Sequence, residues 1–276
     1  MKNAMSIDVE DYFQVSAFAP HIRRDQWDMM PCRVERNVDQ ILALLDETDT
    51  KATFFTLGWI AERYPQVVRR IVDHGHELAS HGYGHQRASD LTPGEFRHDI
   101  TRAKRILEDI GGVTVKGYRA PSFSISRNNW WAIDELEQAG YVYSSSIYPV
   151  KHDHYGMPDA PRFPNRPNGS NGILELPPTT VPLFGRNLPA AGGGWFRLLP
   201  YRASRWMLRR VNVQERAPCM FYFHPWEIDH AQPRPSGLSA KTRFRHYVNL
   251  QQMPGRLKKL LNDFEWDRVD RVFLAS

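Results

Sequence analysis

Cysteines and long apolar runs are both scarce in this chain of 276 residues. The two cysteines, Cys32 and Cys219, lie far apart, so neither a disulfide framework nor a thiolate metal site is expected, and their number fits a reducing compartment. No apolar run approaches the roughly 18 residues that a membrane-spanning helix needs. Residues 1–8 have neither the apolar core nor the cleavage site of a signal peptide, so we predict that the protein acts in the cytoplasm.

The chain also has no large excess of charge of either sign. Lysine and arginine total 36 and aspartate and glutamate 31, which gives a net charge of +5. The excess is spread along the chain except for adjacent pairs such as Arg209 with Arg210 and Lys258 with Lys259, and this spread favours a solvated basic face over nucleic-acid binding. Attraction to an acidic glycan, or peripheral association with anionic lipids at the inner face of a membrane, stays open.

Short apolar runs alternate with segments of helical period, a pattern typical of β/α units around a parallel sheet. The helical segments include residues 34–45, 96–107 and 250–264. The pattern predicts an α/β fold, a distorted (β/α) barrel of about seven strands, as a single domain over residues 1–276 with 225–276 as a C-terminal extension packed on the barrel. The predicted strands are residues 5–9, 52–57, 77–80, 115–119, 141–145, 173–176, 220–224 and 271–274.

Nine of the 20 prolines lie between Pro149 and Pro189. This stretch is expected to form an ordered excursion over the surface that shapes a substrate groove. His152 and His154 lie within it, where substrate contact and simple exposure are equally consistent with the sequence.

Two histidines four residues apart, His81 and His85, follow the predicted strand at 77–80. If this segment turns helically, both imidazoles lie on one side, about 6 Å apart at Cβ, where a single Zn²⁺ could bind both. Gly82 and Gly84 disfavour a stable helix but permit a tight loop. The alternative is a pair of exposed or core-packed histidines without a metal.

Three carboxylates, Asp8, Glu10 and Asp11, end the first predicted strand. They repel one another, so either a bound cation or a solvated acidic turn explains their proximity. Asp8 and Glu10 share one face by strand alternation, whereas Asp11 points elsewhere unless the strand has already ended. Glu10 is therefore the favoured third metal ligand, with Asp11 as the alternative.

Four motifs occur in an order that resembles the polysaccharide deacetylase family, also called the NodB-homology or carbohydrate esterase family 4 group. The resemblance is particularly to the subgroup linked to exosortase-type exopolysaccharide loci. The segments that resemble the family are SIDVEDYF at residues 6–13, GHE through the second histidine at 75–85, RAP at 119–121 and FYFHPWE at 221–227. Four ordered motifs over residues 6–227 are more specific than any one of them.

The resemblance implies a metal-dependent hydrolase that removes acetyl groups from the N-acetylated sugars of a polysaccharide or its lipid-linked precursor. It implies that Asp8 is the catalytic base and that Arg119 pairs with it. In the third motif, which includes Pro121, it implies that the backbone N–H of Ser122 helps to bind the oxyanion. In the fourth motif it implies that His224 protonates the leaving amine.

The same resemblance implies a divalent cation, expected to be Zn²⁺, on His81, His85 and a carboxylate of the first motif. Trp226, in the fourth motif, is a candidate for stacking on a sugar ring, although packing under a loop is an equal alternative.

Two positions depart from the family pattern. Val9 interrupts what is a pair of adjacent aspartates in many family members, and Ser144 stands where relatives have an acid, which leaves the group that orients His224 unassigned. Two rival functions therefore accompany the deacetylase prediction. One is a metal-independent amidohydrolase acting on small linear amides, and the other is a glycan-binding protein on an inactive barrel.

Overall fold

The fold, seen in a computed structural model that describes residues 1–153 and 155–274, is a curled parallel sheet surrounded by helices. The strands are β1 (Asn3–Val9), β2 (Thr53–Thr56), β3 (Glu77–Ser80), β4 (Gly117–Tyr118), β5 (Tyr143–Ser144), β6 (Leu174–Glu175), β7 (Thr180–Leu183), β8 (Arg186–Pro189), β9 (Met220–Phe223) and β10 (Trp266–Asp267). The α-helices are α1 (Val34–Glu47), α2 (Gly58–Arg63), α3 (Pro65–Asp73), α4 (Pro93–Gly111), α5 (Trp131–Gln138), α6 (Gly193–Leu198), α7 (Tyr201–Gln214), α8 (Ala240–Tyr247), α9 (Met253–Asp263) and α10 (Val269–Phe273).

Seven strands pair in parallel in the order β9-β1-β2-β3-β4-β5-β6, and β10 adds a short parallel pairing beside the start of β1. The two ends of this sheet approach each other beyond β6. There the N–H of Thr179 donates to the carbonyl of Met220 in β9 at 3.1 Å, and the N–H of Met220 donates to Thr179 Oγ1 at 2.7 Å. The predicted distorted barrel of about seven strands is thereby confirmed.

The burial of side chains explains where several strands and helices form. Every residue of β1, β2 and β3 is buried, as expected of parallel strands covered on both faces. Helix α4 begins at Thr92, which forms a capping box with Glu95, and ends at Gly112 in the left-handed region. Its buried face contains the apolar residues that the helical period predicted, Phe96, Ile100, Ala103 and Leu107.

Seven of the eight predicted strands contain an observed strand, but the strand predicted at residues 271–274 is wrong. This segment belongs to helix α10, and the chain pairs with β1 five residues earlier, as β10. The first N–H groups of α10 have side-chain acceptors on the sheet: Val269 donates to Thr53 Oγ1 at 2.8 Å and Asp270 donates to Glu77 Oε2 at 3.1 Å. These acceptors lie far away in the sequence, so the local apolar pattern could not reveal the helix.

The C-terminal residues pack into the same apolar cluster as β1. Met253, Leu257 and Leu260 of α9 are buried beside Met5 and Ile7, which confirms the predicted terminal helix. The proline-rich stretch contains an antiparallel hairpin, β7–β8, that was not predicted. Across residues 1–153 and 155–274, none of the helices has both the length and the apolar character required to cross a membrane.

Candidate metal and catalytic site

A cleft of about 960 Å³ opens at the carboxyl ends of the parallel strands. A barrel brings the residues at these strand ends to one face, however far apart they are in sequence. Asp8 lies near the end of β1 and Glu10 just after it, His81 follows β3, and His224 follows β9. All of them line this cleft together with His85.

Glu10, His81 and His85 form a buried cluster suited to a metal ion, with one ligand atom from each residue lying within 4.8 Å of the others. The two imidazole centroids are 5.3 Å apart. His81 Nδ1 lies 2.8 Å from the carbonyl oxygen of Arg119, a contact that fixes the ring and leaves Nε2 as the ligand atom. Burial lowers the pKa of His81 to about 4, so the imidazole is neutral at neutral pH, as metal coordination requires.

The Glu10 carboxylate supports the same assignment. Its Oε1 accepts a hydrogen bond from Trp226 Nε1 at 3.1 Å, and its buried Oε2 lies 2.7 Å from His85 Nε2. Burial by itself would raise the pKa of Glu10, but His85 and His224 lower the pKa to about 2. An ionised buried carboxylate beside two imidazoles provides the oxygen and nitrogen donors that a divalent cation takes.

The loop at residues 81–85 is held in shape by Asp99 of α4. The N–H of Tyr83 donates to Asp99 Oδ2 at 2.9 Å, and a Cβ at Gly82 would lie only 2.7 Å from the same oxygen. Gly82 and His85 both adopt positive φ, 74° and 51°. The histidine pair therefore converges through a tight loop, which the glycines permit, and not through a helical turn.

Asp8 is paired with the fully buried Arg119. Arg119 Nη1 donates to Asp8 Oδ1 at 2.6 Å and to Ser6 Oγ at 2.9 Å, while Nη2 donates to Ser145 Oγ at 3.0 Å. The second oxygen of Asp8, Oδ2, lies 3.9 Å from His224 Nε2. Arg119 thus fixes one oxygen of Asp8 and leaves the other towards the cleft.

His224 is oriented by Glu227, a residue whose role the sequence did not reveal. His224 Nδ1 lies 2.7 Å from Glu227 Oε1, and Arg197 Nε donates to Glu227 Oε2 at 2.6 Å. Burial alone would lower the pKa of His224, but Glu10, Glu227 and Asp8 raise the pKa to about 9, so the ring is protonated at neutral pH. The spacing of three residues in the FHPWE motif was the available signal, because the 3-10 turn Pro225–Ile228 brings the carboxylate back to the imidazole.

Helix α6 packs against Glu227, the partner of His224. A Cβ at Gly193 would overlap the carboxylate of Glu227, so only glycine permits the close approach. Arg197 also donates to the carbonyl oxygens of His246 and Val248, at 2.9 and 2.7 Å. No sequence pattern pointed to Arg197, since its partners are distant in the chain.

Pro121 and Ser122 belong to a turn over residues 121–123, in which Pro121 and Phe123 are buried and Ser122 and Phe123 line the cleft. Ser122 and Phe123 both have positive φ, 55° and 48°, a conformation that costs energy in residues other than glycine and is concentrated at functional sites. The Ser122 hydroxyl lies 2.7 Å from the hydroxyl of Ser16. The oxyanion role of the Ser122 N–H stays a prediction.

Asp11 lies outside the metal cluster. Its Oδ1 accepts the N–H of Tyr12 at 2.7 Å, and its Oδ2 accepts the N–H groups of Arg33 and Val34, at 2.5 and 2.9 Å. Arg33 and Val34 are at the amino terminus of α1, where a carboxylate satisfies otherwise unpaired N–H groups. Of the two carboxylates considered as third ligand, the structure brings only Glu10 to the histidines.

Trp226 is packed against other side chains. The indole stacks on His246 with centroids 4.2 Å apart, lies 5.2 Å from His224, and donates to Glu10. Trp226 therefore positions the candidate metal ligand Glu10. These contacts do not favour sugar stacking, the other role considered for Trp226. His152 lines the cleft, whereas His154 lies outside the described residues.

Comparisons with known proteins point to the same family as the sequence motifs. Residues 26–144 match the family model described as polysaccharide deacetylase, and residues 145–274 match a domain of unknown function, DUF3473. The chain is 35% identical over 97 residues to a peptidoglycan-N-acetylglucosamine deacetylase of Bacillus cereus, a match that covers 35% of each protein. It is 33% identical over 82 residues to a chitooligosaccharide deacetylase of Azorhizobium caulinodans, which covers 29% of this chain and 39% of the relative.

The matches thus span little more than a third of either relative's length. Among solved structures, a Mycobacterium smegmatis protein assigned as a polysaccharide deacetylase has the same fold, with a TM-score of 0.63 at 20% identity over 98% of this chain and 87% of the other. Residues 26–144 therefore form a domain of the polysaccharide deacetylase family, followed by a DUF3473 domain over residues 145–274.

Proposed function

We propose that the protein is a metal-dependent hydrolase that releases acetate from the N-acetylated sugars of a polysaccharide or of its lipid-linked precursor. The observation that carries this proposal is the convergence of Glu10, His81 and His85 with Asp8 and His224 on one cleft. An amide resists hydrolysis because its carbonyl is a poor electrophile and its nitrogen a poor leaving group. The cleft has groups suited to both difficulties.

A divalent cation on Glu10, His81 and His85, with Zn²⁺ as the proposed ion, would polarise the acetyl oxygen and lower the pKa of a bound water. Asp8 accepts the proton of the water that attacks the carbonyl carbon, while Arg119 holds its other oxygen.

The remaining groups act on the oxyanion and on the leaving group. The N–H of Ser122 donates to the oxyanion, a contribution of about 3 kcal/mol for a well-placed donor. His224 gives its proton to the amide nitrogen as the carbon–nitrogen bond breaks, and the products are acetate and a free amine.

Each rival function is weakened by a specific contact. A metal-independent amidohydrolase gives no role to the close contact of Glu10, His81 and His85, whose ligand atoms lie within 4.8 Å of one another. An inactive glycan-binding barrel was considered because Ser144 replaces an acid, but the carboxylate of Glu227 contacts His224 instead. Both contacts favour a working deacetylase.

Acetate release from an N-acetylglucosamine pentamer tests the proposal. We expect release that stops on treatment with a chelator and returns with Zn²⁺, and no release from small linear amides. Hydrolysis of the small amides with the chelator present would instead support the metal-independent amidohydrolase. Tight binding of the pentamer without any acetate, with metal present, would support the glycan-binding protein. A cytoplasmic location and an exopolysaccharide precursor as the natural substrate stay predictions.

A further inference from the structure

The outer face of helix α7 has an unusual composition for a solvated surface. Four residues at spacings of four, three and four, Arg202, Trp206, Arg209 and Val213, are all exposed. At about 100° per residue they fall within a narrow arc of the helix, along about 16 Å of its length. We call this stripe of four residues the α7 face.

Most of the arginines on and around this face have no carboxylate partner among the described residues. Helix α7 contains four arginines and no acidic residue. Arg205 pairs with Asp263 at 2.8 Å, but Arg202, Arg209 and Arg210 form no salt bridge with any described residue, and neither does Arg216 just beyond the helix. An ordinary solvated helix places acidic residues at neighbouring positions, so this concentration of unpaired positive charge points to an anionic partner.

The apolar members of the face are large and exposed. Trp206 is 49% and Val213 72% exposed, while Ser204, Met207, Leu208 and Val211 on the opposite side are buried. The inner side of the helix is therefore buried, and the exposed tryptophan and valine are not required by its packing. Alternating arginine with apolar side chains is suited to a boundary where phosphates lie beside hydrocarbon.

We propose that the α7 face docks the protein on the surface of an anionic phospholipid membrane. Arginines would bind lipid phosphates, and Trp206 and Val213 would enter the headgroup region, with the helix axis parallel to the membrane plane. A nucleic acid would satisfy the arginines, but it offers no apolar layer for Val213. The face lies outside the catalytic cleft, so this proposal does not depend on deacetylase activity.

Sedimentation of the full chain with vesicles tests the proposal. Vesicles of phosphatidylglycerol and phosphatidylcholine in equal parts are expected to bind the protein, with binding that weakens as salt is added, and vesicles of phosphatidylcholine alone are not. The double variant Arg202→Gln/Arg209→Gln is expected to bind on the order of 30-fold more weakly, about fivefold for each arginine. Trp206→Ala is expected to weaken binding while its salt dependence is retained.

The matched control removes two positive charges elsewhere. Lys258→Gln/Lys259→Gln changes the adjacent basic pair of α9 and is expected to bind within about twofold of the wild type. Equal losses in both double variants would overturn the proposal in favour of diffuse attraction by net charge. Absence of wild-type binding to the anionic vesicles would also overturn it, as would tighter binding to duplex DNA that the arginine substitutions abolish. Acetate release from a soluble oligomer, measured in parallel, is expected to be unchanged in all three variants.

Discussion

Replacing Asp8 with asparagine is expected to lower the rate of acetate release by about 10³-fold, within the range typical of a lost general base. Asparagine keeps the size of the side chain and still accepts the hydrogen bond from Arg119, but its amide cannot take a proton from water. The candidate metal ligands Glu10, His81 and His85 are untouched, so bound metal should remain at the wild-type level. Acetate release and metal content measured on the same preparation check both expectations.

Asp90→Asn is the matched control for this variant. Asp90 also lines the cleft, but it is exposed and its carboxylate accepts a hydrogen bond from Ser89 rather than from the site. Its rate should remain within a few-fold of the wild type. If Asp8→Asn lost its metal together with its activity, Asp8 would be a ligand, and if it retained the rate, the base would have to be another residue.

The second large effect is expected from Glu227→Gln, and its size should depend on the leaving group. Glu227 accepts from His224 and from Arg197 through different oxygens. Glutamine has only one acceptor oxygen, so one of these two donors loses its partner, and the negative charge that helps to raise the pKa of His224 disappears. The population of correctly oriented, protonated His224 therefore falls, and the alkaline limb of the pH–rate profile should move to lower pH.

Two substrates separate this effect from a general loss of structure. An N-acetylglucosamine amide needs a proton on its departing nitrogen, whereas 4-nitrophenolate leaves from 4-nitrophenyl acetate without one. We expect kcat to fall about 10²- to 10³-fold on the amide and less than about tenfold on the ester. The ratio of the two rates does not depend on the fraction of folded protein. An equal fall on both substrates would mean that Glu227 only stabilises the fold.

The barrel could be predicted because the pattern of apolar residues in its strands and helices shows which faces are buried. Strands such as β1 and β2 are covered on both faces and contain short clusters of apolar residues, and α4 shows its core face at the helical period. The same logic placed Asp8, His81 and His224 at strand ends, where a parallel barrel brings side chains together.

The remaining features depend on contacts between distant segments. Asp11 satisfies the amino terminus of α1, which begins 23 residues later in the chain, and nothing beside it in the sequence records that contact. Glu227 was within a recognised motif, yet its role depends on a short turn and on Arg197 from α6. The helix at 269–273 likewise depends on acceptors from β2 and β3. Local sequence patterns predict which residues are buried, but they do not show which distant residues bind the polar side chains.

We propose that Glu10, His81 and His85 together hold one divalent cation. Equilibrium Zn²⁺ binding to the wild type, to His81→Ala and to Asp11→Asn tests this ligand set. We predict one ion per chain in the wild type, binding weakened by 100-fold or more in His81→Ala, and nearly unchanged binding in Asp11→Asn, because a ligand is lost only in the first variant. Wild-type affinity in His81→Ala, or loss of the ion in Asp11→Asn, would contradict this assignment.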